Sequence, residues 1–214
     1  SNEAFPYRHA QEIAIGYGRA ICVRLTYLGE LGYELYIPTE QAVHVYDIIV
    51  EAGKKFDLSH AGLKALGSLR MEKGYRDYGH DMDNTDDPYE TGLGFTIKLD
   101  KPSGFIGKEA CVKKKAQDGL KRRLAQVLVK DPEPLLYHAE VISRNGKKAG
   151  YVRSGSYCYT LGGAAGLFMI EADEVIDEAY IKNAKWEINI AGSIYPAKVS
   201  LKPLYDPEMI KIKA

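Results

Sequence analysis

Thr26-Tyr27-Leu28-Gly29-Glu30-Leu31-Gly32-Tyr33-Glu34-Leu35-Tyr36 decides how the first half of this chain is read. Upstream, Ile21, Val23, Leu25 and Tyr27 alternate as one apolar face of a strand; Tyr33 to Ile37 leaves as a second strand. Between them, Gly29 and Gly32 permit a tight reversal at positive φ. The turn also holds a carboxylate, Glu30, at a strand end. Such an acid is either a solvated turn residue or an acceptor pair for a flat, donor-rich ligand, and the hairpin alone leaves both readings open.

The 214 residues suffice for one large domain or two modest ones, each with a core. Apolar content of 45% and charged content of 27% are ordinary globular values, which excludes a disordered chain. Twenty-nine basic residues balance 29 acidic ones, so no overall field favours nucleic acid or an acidic membrane. The basic cluster Lys113, Lys114, Lys115, Lys121, Arg122 and Arg123 reads as a solvated face. Cys22, Cys111 and Cys158 lack CxxC spacing and argue against a disulfide scaffold or a zinc site. They suit a reducing compartment: cytoplasm, or the mitochondrial matrix in a eukaryote. No apolar run is long enough for a membrane helix, and the first residues carry no signal-peptide pattern. The chain does not begin with methionine, as expected of a fragment or a processed product.

After the hairpin, Thr39 is the expected N-cap of a helix carrying Val43, Tyr46, Ile49 and Val50 at helical spacing and ending at Gly53. A second helix is predicted from Gly62 to Lys73, with Leu63, Leu66 and Arg70 on one face. A guanidinium on an apolar stripe needs an acceptor, from the protein or from a ligand. The acidic stretch Gly79 to Pro88 invites a calcium-loop reading, but Asp86 and Gly92 stand where that loop needs glycine and glutamate. It reads instead as a surface loop capped by its own side chains, with His80 a hydrogen-bonded loop histidine. Gly92 to Leu99 shows strand-like alternation, and Phe105 opens a short helix ending near Gly119.

From Arg122 the texture becomes short β segments: Leu124 to Val129, Val141-Ile142, Gly150 to Val152, Tyr157 to Thr160, Leu167 to Ile170, Trp186 to Ile190 and Tyr195 to Leu201. Asn145-Gly146 is a type I′ hairpin signal. Gly162 to Gly166 lies between strands without a lysine or a following helix and reads as a turn rather than a phosphate loop. The fold class is therefore α+β: residues 1–118, then an antiparallel β-barrel or sandwich in residues 119–214, with a loosely held tail from Met209.

The motifs meet a family at this point. Tyr27 to Pro38 resembles the signature of the folate-dependent aminomethyltransferases, which include the glycine-cleavage T-protein. Similar stretches follow in family order: Ser68 to Tyr75, Tyr78-Gly79-His80-Asp81, Gly92-Leu93-Gly94 and Phe105 to Ala110. Ser1 to Tyr7 is similar to a mid-domain stretch of that family. Leu31, where T-proteins typically carry aspartate, looks more like the dimethylglycine and sarcosine dehydrogenases.

The resemblance implies a partial folate-binding domain followed by a C-terminal antiparallel β-barrel. It implies that Glu30 accepts hydrogen bonds from the pterin of tetrahydrofolate, that Arg70 lies at the same pocket and that Tyr78 lines it. The implied activity is transfer of a one-carbon unit from a small N-methyl amine to tetrahydrofolate. FAD and its N-terminal flavin domain belong, by the same resemblance, to a region absent from this chain, as does the catalytic aspartate. No catalytic residue and no metal ligand is therefore assigned here, and the chain alone is expected to be catalytically incomplete. A stand-alone aminomethyltransferase and a non-catalytic regulatory subunit of the same fold are the alternatives.

Overall fold

The computed structural model describes residues 2–213, so Ser1 and Ala214 of the expectations above lie outside the described residues. The described residues form two compact units: residues 2–70 together with 206–213, and residues 71–205.

The first unit carries a three-stranded antiparallel sheet, β1 (Ala10–Ile15), β2 (Gly18–Val23) and β3 (Glu34–Tyr36), in the order β1-β2-β3. The predicted pairing is present, with Ile21 opposite Tyr36 and Val23 opposite Glu34. The tight turn is not: ten residues, 24–33, separate the two strands. The buried face is also the opposite one. Gly18, Ala20, Cys22 and Arg24 point inward, whereas Ile21 is 51% exposed. A strand's side chains alternate strictly, so a single buried arginine on the other parity reverses the whole assignment.

Helix α1 (Ala42–Gly53) follows a short 3-10 turn, Thr39–Gln41, and no side chain caps either one; Thr39 begins the turn instead of capping a helix. Val45 is its buried residue in the apolar set, while Val43 and Tyr46 face solvent. Gln41 and His44 hold the β1–β2 turn: Gln41 Oε1 accepts from the Arg19 amide at 2.8 Å and His44 Nε2 from the Tyr17 amide at 3.2 Å. Helix α2 spans Leu63–Glu72, close to expectation, but Leu63 is 83% exposed. The tail is not loose. Lys211–Lys213 is a 3-10 turn with Ile212 buried.

The second unit contains helix α3 (Lys108–Lys115) and a closed antiparallel barrel with strand order β4-β7-β6-β5-β8-β9. Its strands are β4 (Arg122–Val129), β5 (Val141–Arg144), β6 (Lys147–Cys158), β7 (Gly163–Glu171), β8 (Trp186–Ile190) and β9 (Ser193–Ser200). Asn145 and Gly146 both adopt positive φ, 51° and 78°, as a type I′ turn requires. A short helix, α4 (Glu178–Lys182), has its N-terminus capped by Asp177, whose carboxylate accepts from the Tyr180 amide at 2.7 Å.

Two expected strands, Gly150 to Val152 and Tyr157 to Thr160, are one long strand, β6. Its register shifts between Val152 and Ser154, so that Arg153 is the extra residue of a bulge, and such an insertion bends a strand around a barrel. Residues 163–166 are part of β7, not a turn. Gly166 lies where a Cβ would come within 3.0 Å of the Ser154 carbonyl oxygen, so strand-to-strand approach explains that glycine. Gly92 to Leu99 is not a strand; Gly94–Thr96 forms a 3-10 turn.

β7 is buried along almost its whole length because both of its faces are covered. Ala164, Phe168 and Ile170 join Ala125, Val127, Ile142, Val152 and Ile188 inside the barrel. Ala165, Leu167 and Met169 pack outside it with Met71, Leu124 and Cys158. Gln126, also buried, ties three segments together. Its amide donates to the carbonyls of Met71 (2.5 Å) and Glu72 (3.2 Å), and its oxygen accepts from the Leu204 amide at 2.7 Å.

Candidate functional site

The loop 24–33 begins where β2 ceases to pair with β3. Arg24 pairs instead with the N-terminal segment: its amide donates to His9 O (3.0 Å), its carbonyl accepts from Arg8 (2.8 Å), and its guanidinium donates to Phe5 O (2.7 Å). Thr26 Oγ1 then accepts from the Leu28 amide at 3.1 Å, a side chain standing in for a backbone partner. The two glycines have different reasons. Gly29 sits at φ 83°, a conformation that L side chains rarely adopt. Gly32 has no positive φ, but a Cβ there would come within 3.1 Å of Leu25 O and 3.3 Å of Thr26 Cβ, across the neck of the loop.

These constraints leave Glu30 at the loop tip with its side chain 45% exposed. Its Oε1 lies 4.0 Å from Lys211 Nζ. A carboxylate on a loop pinned in this way is a ready hydrogen-bond acceptor for a ligand's N–H groups.

Arg70 lies in the last turn of α2 and is only 8% exposed. The buried side of the helix here is Ser68 and Arg70, followed by Met71 to Gly74, rather than the Leu63–Leu66–Arg70 stripe. Glu30 and Arg70 belong to the same compact unit. Tyr78 belongs to the other and is 67% exposed, its backbone bridged to Met82. His80 is an exposed loop histidine with Nδ1 3.1 Å from an Asp77 oxygen. The acidic loop is capped by its own side chains as expected, Asp83 Oδ1 accepting from the Thr85 amide and hydroxyl at 2.7 and 2.6 Å, but it is not wholly a surface loop, because Asp81 and the Asp86 side chain are buried. Among the described residues no group of three or more His, Cys, Asp or Glu is placed to hold a metal ion.

An open cleft of about 450 Å³ on the outer face of the three-stranded sheet is lined by Glu12, Arg19, Ile21, Tyr36 and Pro38, and by none of the three expected site residues. Arg19 and Glu12 already form an ion pair across it.

Sequence reading missed a charged cluster in the second unit. Asp86 accepts from Arg153 Nη1 at 2.6 Å and lies 2.7 Å from Arg122 Nη2, while Glu90 bonds Lys114 Nζ at 2.6 Å and Arg122 Nη1 at 3.0 Å. The Asp86 side chain is 1% exposed. Two residues of the basic run read as solvated, Lys114 and Arg122, are therefore half-buried and paired. The β6 bulge is what aims Arg153 at this cluster, where it also donates to Asp81 O at 2.7 Å.

Burial alone would raise both carboxyls. Hydrogen bonds from Arg153, the Asp83 amide and Arg122 outweigh it at Asp86, as those from Lys114 and Arg122 do at Glu90, and both stay below the usual carboxylate range. Arg122 is desolvated, yet its hydrogen bonds to Glu171, Glu90 and Asp86 raise it further. Cys158, buried beside Glu72, has its thiol pushed up to about 12. The charge runs were visible in the sequence, but pairings across tens of residues leave no trace in local spacing.

Similarity to known proteins extends along the chain. It is 44% identical over 210 residues to a Paenarthrobacter nicotinovorans protein described as 4-methylaminobutanoate oxidase (formaldehyde-forming), covering 97% of this chain and 24% of that protein. It is 35% identical over 215 residues to mitochondrial sarcosine dehydrogenase of Mus musculus, covering 100% of this chain and 23% of that one. The chain thus spans about a quarter of the length of these relatives. The crystal structure of the glycine cleavage system aminomethyltransferase T from Bartonella henselae superposes with a TM-score of 0.78 at 20% identity, over 97% of this chain and 54% of that one, a likeness of fold. Residues 1–101 match the GCVT N-terminal domain and residues 122–206 the glycine cleavage T-protein C-terminal barrel domain. A fold with its closed barrel in the expected place and two family domains in order lead to one conclusion: the chain belongs to the glycine cleavage T-protein family.

Proposed function

We propose that this chain is the tetrahydrofolate-binding, C-terminal portion of a flavin-dependent N-methyl amine dehydrogenase or oxidase, in which residues 1–118 contribute part of the folate domain and residues 119–214 the barrel domain. The observation that carries the reading is the Glu30 carboxylate, half-exposed at the tip of a loop that two glycines constrain. Relatives named for oxidising N-methyl amines support it, because this chain aligns over nearly its full length with about a quarter of theirs.

In this reading Glu30 accepts hydrogen bonds from the pterin's amino and ring N–H groups. Arg70, in the same compact unit, supplies a guanidinium at the same ligand. Tetrahydrofolate, when bound, supplies the nitrogens that accept the one-carbon unit. The chain's own residues hold and orient it, and the oxidation of the amine belongs to a flavin region outside these residues. The compartment is the mitochondrial matrix if the source is eukaryotic, and the cytoplasm otherwise.

The test is the product split of the intact protein turning over an N-methyl amine with tetrahydrofolate present. Wild type gives 5,10-methylenetetrahydrofolate. Glu30→Gln gives mainly free formaldehyde at an unchanged rate of amine oxidation. An unchanged split in that variant contradicts the proposal.

A further inference from the structure

The last residues of the chain form a hook. Asp206 closes it, with Oδ1 accepting from the Ile210 amide at 3.0 Å and Oδ2 from the Lys211 amide at 3.2 Å. Two more bonds, Met209 N–H to Asp206 O at 3.0 Å and Lys213 N–H to Ile210 O at 3.1 Å, complete it. Asp206 and Met209 both sit at positive φ, 42° and 56°, a conformation that non-glycine residues hold only when surrounding contacts enforce it. Ile212 is 2% exposed and anchors the turn.

The hook fixes the backbone of Lys211, whose ammonium lies 4.0 Å from Glu30 Oε1. Both side chains are about half-exposed, so the pair adds little to folding stability. Its consequence is orientation. A cation whose backbone is held beside the loop tip narrows the arrangements open to the carboxylate.

We infer that Lys211 is a positioning residue for Glu30, the C-terminal hook holding the loop-tip carboxylate in the orientation that meets the pterin's N–H donors. This inference rests on the folate reading above. Lys211 faces the acceptor carboxylate at 4.0 Å, so in this inference it acts on affinity through Glu30. A lysine that served only to hold the tail would act on stability instead.

The test compares wild type, Lys211→Met, Lys211→Arg, Glu30→Gln and the Glu30→Gln/Lys211→Met double variant in the intact protein. Calorimetric titration with tetrahydrofolate is expected to show Kd about 2- to 5-fold weaker for Lys211→Met, restored by Lys211→Arg, with no further loss in the Glu30→Gln background. The Lys211→Met effect fades at high salt, as an exposed pair's must. Melting temperature stays unchanged. Hydrogen exchange at the amides of residues 28–31 is read without folate and quickens in Lys211→Met.

Wild-type binding with Lys211→Met equally tight, or an equal loss in the Glu30→Gln background, overturns the positioning role. If no variant binds tetrahydrofolate, the functional reading fails, and the exchange experiment still decides the hook: unaltered exchange at residues 28–31 refutes it.

Discussion

Replacing Asp86 by asparagine removes the one negative charge shared by Arg122 and Arg153 in the second unit. The carboxylate is all but inaccessible and receives Arg153 at 2.6 and 3.3 Å and Arg122 at 2.7 Å. Breaking a buried pair from one side costs about 3–5 kcal/mol, because the surviving charge is left uncompensated. Both guanidiniums here keep other acceptors: Arg153 the Asp81 carbonyl at 2.7 Å, Arg122 the Glu90 and Glu171 carboxylates at 3.0 and 3.1 Å. The lower end of that range, about 3 kcal/mol, is therefore expected for Asp86→Asn. For a unit of this size it corresponds to a fall in Tm of roughly 10 °C.

The control is Glu171→Gln, whose side chain is mostly exposed and which is expected to lose less than about 1 kcal/mol. Denaturant unfolding at several pH values adds a signed test. Asp86 and Glu90 both have folded-state pKa values below their unfolded ones. Their contribution is complete above the unfolded carboxylate range, around pH 4, and is lost as pH falls through the depressed folded values. Wild type therefore loses stability more steeply in acid than Asp86→Asn does. A loss below about 0.5 kcal/mol for Asp86→Asn, or parallel pH profiles, refutes the assignment of this cluster as a paired buried network.

Gln126→Leu takes the buried Gln126 partner from the Glu72 carbonyl and the Leu204 amide, while the Met71 carbonyl keeps the Gly74 amide at 3.0 Å, and is expected to cost about 3 kcal/mol by denaturant titration, from roughly 1–3 kcal/mol per unsatisfied group. Thiol titration with a disulfide reagent at pH 8 is expected to modify Cys111 first. Cys158, buried with its thiol near 12, and Cys22, raised by burial, react only on unfolding; rapid labelling of Cys158 in the native protein contradicts this packing.

The barrel was the most legible part of the sequence because its information is local. Asn145-Gly146 specifies a turn by its backbone angles, and the Leu124 to Val129 and Trp186 to Ile190 runs carry strand-forming side chains. The join of two predicted strands into β6 was hidden because a bulge at Arg153 interrupts the alternation that marks a strand. In the first unit, Arg24 misled. Apolar parity pointed to Ile21 and Val23, yet the buried face carries a small residue, a cysteine and an arginine bound to backbone carbonyls. Glu30 was legible as a carboxylate on a glycine-framed turn, although Gly32 is there for close approach and not for backbone angle. Arg70 was legible as a charge in an apolar context, with the wrong neighbours. The hook at the C-terminus was not legible at all, since only Asp206 reaching back to the amides of Ile210 and Lys211 distinguishes it from a frayed tail.

The central claim is that Glu30 holds folate, and calorimetric titration of the intact protein with tetrahydrofolate, wild type against Glu30→Gln, tests it most directly. Calorimetry suits the question better than tryptophan emission, because Trp186 is buried in the barrel, its indole bonded to Ile181 O at 2.9 Å. A charge-assisted hydrogen bond of about 1.5–3 kcal/mol predicts affinity weakened roughly 10- to 150-fold in Glu30→Gln with the fold intact. Equal affinity in the two proteins would contradict the account.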